Sequence, residues 1–212
     1  VCTDYAWWSA LLADGQTALA QARQGLEIAE KMGSRMTRLF AYNALGFAEV
    51  QVGRSDQAVA VLEQARAIAS DMHAVAETQV DTLTLLARAY LGTGDHERAR
   101  AAAEEAVSAA RKWNARAWEC IAQLAYGLVL VRSQGLDAVA TIDAALARAM
   151  VLIEETGARC FEPFVHLERA ELARLGGDSV GHERELGTAH RLFSAMKVRP
   201  PQLFPPPHSA AG

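Results

Sequence analysis

The sequence predicts an all-α fold, a superhelix of about five antiparallel helix pairs. Three observations predict it. Small residues recur in register about every forty positions, glycines separate the two helices of the clearest pairs, and second helices end on residue types that tolerate left-handed backbone. The stretch LLARAYLGTGDHERARAAAEEA, residues 85–106, carries the first two together. Shifted upstream it lands on YNALGFAEVQVGRSDQAVAVLEQA, residues 42–65, pairing Gly46 with Ala87, Gly53 with Gly94, Ala58 with Ala99 and Ala65 with Ala106. Ala58 and Ala65, like Ala99 and Ala106, lie two helical turns apart and mark one face. Helices pack with axes about 8–10 Å apart, and the near end of that range requires Gly or Ala at the crossing. A leucine at Ala99 is therefore expected to overpack, whereas one at Ala101 is not.

The elements follow in order from this register. The second-helix mark runs Ala18/Gly25, Ala58/Ala65, Ala99/Ala106, Ile142/Ala149 and His182/Ala189, the last two pairs being imperfect. First helices are expected over roughly 3–13, 36–52, 76–92, 115–133 and 161–175, and second helices over roughly 16–32, 55–72, 96–113, 137–156 and 179–196. Gly33, His73, Asn114 and Gly157 supply the caps of the first four second helices. In the fifth, Lys197 replaces the cap residue, so no such cap is expected, and Pro200–Pro201 stop the helix. The turn near SQGLD, 133–137, is longer than its counterparts, and Gly176–Gly177 blurs the register of the last first helix. One repeat domain is expected over 1–198, with repeats at about 1–34, 35–74, 75–114, 115–158 and 159–198. The proline-rich end, RPPQLFPPPHSAAG at 199–212, is expected to be extended or disordered.

Composition narrows the function classes. Half of the residues are apolar (51%) and 22% are charged, a globular rather than a disordered balance. The net charge of −4 comes with no block of like charge, so no nucleic-acid or acidic-membrane partner is expected. Apolar runs such as AYGLVLV at 125–131 are far short of a bilayer span. No signal peptide is visible, and the three cysteines are odd in number and widely spaced, so reduced thiols in a cytoplasmic protein are expected. The chain begins at Val1 and reads as a piece of something longer.

Residues 42–65 and 83–106 resemble tetratricopeptide repeats. The resemblance rests on Leu83, Leu86–Ala87, Tyr90, Ala99, Ala103 and Ala106 in one copy, and on Tyr42, Leu45–Gly46, Glu49, Ala58, Leu62 and Ala65 in the other. The period of 40–43 departs from the usual repeat of about 34 residues and is explained by longer helices with the same crossings. The runs IEETGARCFEPFVHLERAELARLGGD at 153–178 and ERELGTAHRLFSAM at 183–196 look like the last repeats of bacterial signalling proteins. Those proteins join a class III adenylate cyclase, or a DNA-binding regulator, to an ATPase and a C-terminal repeat array. The resemblance implies a non-catalytic regulatory segment.

A search for chemistry finds no nucleotide-binding glycine loop and no H-E-x-x-H. No two cysteines are near enough to form a zinc knuckle, and His182 and His190 are about 12 Å apart along a helix, so no metal or other cofactor is expected. Glu104–Glu105 and Glu154–Glu155 are adjacent, hence about 100° apart on a helix, and do not converge on a substrate. Cys120 and Cys160 read as buried, inert thiols. No enzymatic activity is expected of this chain.

The surface singled out is the inner face of the first helices, which lines the groove of such superhelices. Counting from the small residue of each copy gives Phe40, Asn43, Phe47 and Val50, then Asp81, Thr84, Arg88 and Leu91, then Glu119, Ala122, Tyr126 and Val129. Phe40, Asn43, Phe47, Asp81, Arg88, Glu119 and Tyr126 are the expected groove residues, offered to a protein or peptide segment or to other domains of the parent chain. An aromatic stripe at this spacing also fits core between repeats. The expected role is protein–protein interaction or regulation within a cytoplasmic bacterial signalling protein. The alternative is a small-molecule effector sensor that controls an attached ATPase, cyclase or DNA-binding regulator.

Overall fold

The computed structural model describes residues 15–72 and 76–197. The expected helix at 3–13, the cap at His73 and the tail at 199–212 lie outside these residues. The described residues form α1 (Gly15–Met32), α2 (Arg35–Gln51), α3 (Ser55–Asp71), α4 (Ala76–Thr93), α5 (His96–Lys112), α6 (Arg116–Ser133), α7 (Val139–Thr156), α8 (Glu162–Leu175) and α9 (Ser179–Ala195). Each agrees with its expected segment to within two residues at either end, and no strand occurs among the described residues.

Local chemistry sets the helix ends. The Ser34 hydroxyl oxygen accepts from the Thr37 N–H at 3.3 Å, and the Asp95 carboxylate accepts from the Arg98 N–H at 3.1 Å. Asp178 does the same for Gly181 at 2.8 Å. Each satisfies an amide left open in a first turn. The hairpin turns after α2 and α4 pass through Gly53 and Gly94 at φ 76° and 82°, a region that strongly favours glycine. At α9 the expected absence of a cap is corrected. Lys197 itself takes the left-handed conformation, φ 56°, as Asn114 does after α5 at φ 51°. The longer fourth turn contains a single 3-10 turn, Gly135–Ala138, ahead of α7.

Packing explains the small residues. A Cβ added to Gly46 of α2 would lie 2.4 Å from Cγ and Cδ2 of Leu62 on α3. Leucine fills the α3 side of that crossing because glycine empties the α2 side. In the next pair the corresponding positions are Ala87 and Ala103, both fully buried. In the pair after that Gly127 again faces a leucine, with Leu146 Cδ2 3.0 Å from the added Cβ. Ala58, Ala65, Ala99, Ala106, Ile142, Ala149 and Ala189 are all fully buried. Gly25 departs from the expected mark: it is exposed, and a Cβ there would meet nothing within 4 Å. His182 is half-buried, its Nδ1–H donating to the Ala170 carbonyl at 2.9 Å.

Each helix packs on the next, and α2, α4, α6 and α8 also pack side by side in succession. The first helices therefore form a continuous inner layer. The core runs through the stack rather than closing within one pair: Phe47 of α2, Leu86 and Tyr90 of α4, Ala99 and Ala103 of α5, and Val129 of α6 share one cluster. Phe164 of α8 and Phe193 of α9 close the far end edge to face, ring centroids 5.4 Å apart.

Candidate functional site

The inner layer opens into a cleft between α4, α6 and α8. Thr84, Leu85 and Arg88 line it from α4, and Ile121, Leu124, Ala125 and Leu128 from α6. Phe161, Phe164 and Glu168 complete it from α8 and the turn before it. It is a narrow slot with a cavity volume of about 40 Å³. The lining follows the repeat. Arg88, Leu128 and Glu168 each directly follow a crossing position (Ala87, Gly127 and Leu167), and Thr84, Leu124 and Phe164 lie one turn earlier.

Two charges stand in this apolar setting. Glu168 is 5% exposed, and its Oε2 is buried without a hydrogen-bond partner. Burial pushes its carboxyl up to about 7, against the opposing pull of Arg132 and Arg88. Burial lowers the pKa of Arg88, and the Glu168 charge partly offsets this. The two are coupled through the field without a direct ion pair among the described residues. The other nearby carboxylate, Glu171, is already engaged. Arg174 donates to it from Nε and Nη2, both at 2.8 Å, and Arg132 lies 3.9 Å away.

The expected groove residues divide. Arg88 lines the cleft. Asn43 and Asp81 are buried and bonded to each other, Asn43 Nδ2 donating to Asp81 Oδ2 at 3.1 Å. Thr82 Oγ1 lies 3.0 Å from Asn43 Oδ1 and 2.9 Å from the Thr78 carbonyl, so its one proton serves both. This network joins α2 to α4 and satisfies polar groups that would otherwise be orphaned. Phe47 is core, and Phe40 is exposed on α2. Glu119 is buried and accepts from Arg148 Nε and Nη2 at 3.1 and 2.9 Å and from Arg111 Nε at 3.0 Å. The Arg148 bonds, with Arg111 and against the effect of burial, hold its carboxyl below the ordinary value. Tyr126 packs against three core clusters, and its hydroxyl reaches Glu104 at 3.4 Å.

The fourth-copy register is corrected here. Glu119, Ala122, Tyr126 and Val129 are counted from a crossing at Ala125, but the residue that meets the second helix is Gly127. Two residues rotate a helix face by about 200°, so that count selected the side turned away from the cleft. Counting from Gly127 gives Ile121, Leu124 and Leu128, all cleft residues. The same step of forty from Gly127 leads to Leu167 and thence to Glu168, the signal that would have revealed the α8 wall.

Among the described residues, no group of three or more His, Cys, Asp and Glu side chains is placed to hold a metal ion. Cys120 is buried, and burial pushes its thiol up to about 12, far from the reactive range. No helix of the described residues is long and apolar enough to cross a membrane.

With this geometry in place, the comparisons fix the architecture. Residues 37–112, covering α2 to α5, match the tetratricopeptide repeat family model. No curated protein matches the chain. Among solved structures, the chain is similar to the kinesin light chain-like, nearly identical TPR-like repeats of Podosopora anserina. The TM-score is 0.61 at 20% identity, over 92% of this chain and 94% of that one. At that identity the likeness is one of fold, and the fold is an α-α superhelix of TPR-like hairpins. The cleft lies only partly within the matched segment, because α6 and α8 are beyond it.

Proposed function

We propose that this chain is a non-catalytic protein-interaction segment that takes an extended stretch of a partner protein, or of another domain of its parent chain, along the inner layer at the α4–α6–α8 cleft. The observation that carries the reading is the cleft itself: an apolar slot holding a buried carboxyl and a guanidinium that leave each other unpaired. Native interiors seldom leave such groups unmatched, and functional sites are where they do. The narrow slot suits a side chain better than a whole effector molecule. The proposed setting is regulation within a cytoplasmic bacterial signalling protein. Its support is the resemblance of residues 153–178 and 183–196 to the last repeats of cyclase-linked and ATPase-linked regulators.

Random peptides displayed on phage and selected against the 212-residue chain test the reading. Enriched peptides should bind and should lose binding to Arg88→Met. No enrichment, or binding indifferent to Arg88→Met, would overturn it.

A further inference from the structure

The cleft also specifies the chemistry of what enters it, an inference that rests on the interaction reading above. Glu168 Oε2 is buried and lacks a donor, and Arg88 forms no hydrogen bond with a described residue. A buried acid that served only the fold would be paired, since an unmatched buried polar group costs stability, and the half-buried Arg88 beside it is left without a partner as well. The pair therefore awaits an occupant that accepts from Arg88 and donates to Glu168. The charges around the slot decide its class. The charged residues lining the slot are Arg88 and Glu168, one of each sign, while Glu171 outside the lining is engaged by Arg174 and Arg132. A carboxylate would be drawn to Arg88 and repelled by Glu168, and an ammonium the reverse. A primary carboxamide carries an acceptor and two donors on one planar head and adds no net charge to a buried site. Leu85, Leu124, Leu128 and Phe164 offer apolar surface to its methylene stem. The slot admits such a head and little more.

We infer that the α4–α6–α8 cleft is a specificity pocket for one glutamine or asparagine carboxamide of an extended partner segment, held between Arg88 and Glu168.

The test titrates the 212-residue chain with N-acetylglutamine methylamide while following the Arg88 Nε–H resonance by NMR. The glutamate and norleucine analogues share its backbone amides and serve as controls. The glutamine probe should give a saturable shift with affinity at least about tenfold above either control, because only it both accepts from Arg88 and donates to Glu168. Glu168→Leu and Arg88→Met should each abolish that shift. Glu168→Leu should at the same time raise Tm, since it removes an unmatched buried acid; a fall in Tm would mark Glu168 as structural and overturn the inference. Equal affinity for the three probes, or no saturation with glutamine, would overturn it as well. Phage-selected peptides that bind through Arg88 without Gln or Asn would end the carboxamide assignment and leave the interaction reading standing. Failure to select any peptide would remove the interaction reading, and this inference with it.

Discussion

Arg88 and Glu168 face one cleft from helices two repeats apart, electrostatically coupled yet with no direct ion pair between them. Burial raises the Glu168 carboxyl from an ordinary 4.5 to about 7. An acid with a raised folded-state pKa binds more protons when folded, so its contribution falls as pH rises between those values and is constant above them. The loss amounts to about 3 kcal/mol for a group this buried. Urea denaturation of Glu168→Gln should show greater stability than the parent at pH 8 and a smaller difference at pH 5. A constant difference across that range contradicts the assignment.

Glu119 carries the opposite sign. Bonds from Arg148, reinforced by Arg111, depress its pKa below the ordinary 4.5. Its contribution is present above that value and is lost as pH falls through the folded-state pKa. Glu119→Gln keeps the shape but removes the charge, and should cost about 1–3 kcal/mol at pH 7, since the bonds it weakens are charge-assisted. The penalty should shrink once acid has protonated the parent's carboxylate. Denaturation midpoints at neutral pH and at pH 3 check this, and a penalty unchanged by acid speaks against it.

What the sequence made legible depended on repeat spacing. From α2 to α5 the step is constant, so Gly46, Ala87, Ala58 and Ala99 align without choice and the helix boundaries follow. In the fourth copy Ala125 and Gly127 both offer a small residue, and only Leu146 against Gly127 decides between them. The fifth copy has Leu167 at the crossing, where nothing small marks the register. Burial was harder still to read. Asn43, Asp81 and Glu119 look like surface polar residues in a one-dimensional pattern, and only their partners on neighbouring helices show them satisfied inside. The cleft is assembled from three first helices, so no single copy displays it.

Gly46→Ala tests the close crossing directly. The new methyl would meet fully buried Leu62 at 2.4 Å. Overpacking of this kind costs about 1–3 kcal/mol, against about 1 kcal/mol gained from helix propensity. The net effect should be a loss of stability. Gly25→Ala meets nothing within 4 Å and should gain about 0.5–1 kcal/mol. Thermal denaturation of the two variants should move Tm in opposite directions, and parallel shifts would remove the crossing as the reason for Gly46.

Ala99 and Ala101 sit two residues apart on α5, one fully buried among Leu86, Tyr90 and Ala103, the other exposed. Leucine and alanine differ little in helix propensity, so the helix itself barely distinguishes the two substitutions. The difference lies in the space available. Ala99→Leu must force the α4–α5 crossing apart or displace its neighbours, at about 1–3 kcal/mol. For a chain of this size each kcal/mol lowers Tm by roughly 2–4 °C. Ala101→Leu adds apolar surface to solvent and should leave Tm within about 1–2 °C of the parent, as surface changes do. Because both variants add the same atoms to the same helix, a difference in Tm reports the crossing alone. Equal Tm values would mean that α4 and α5 do not need small side chains where they meet.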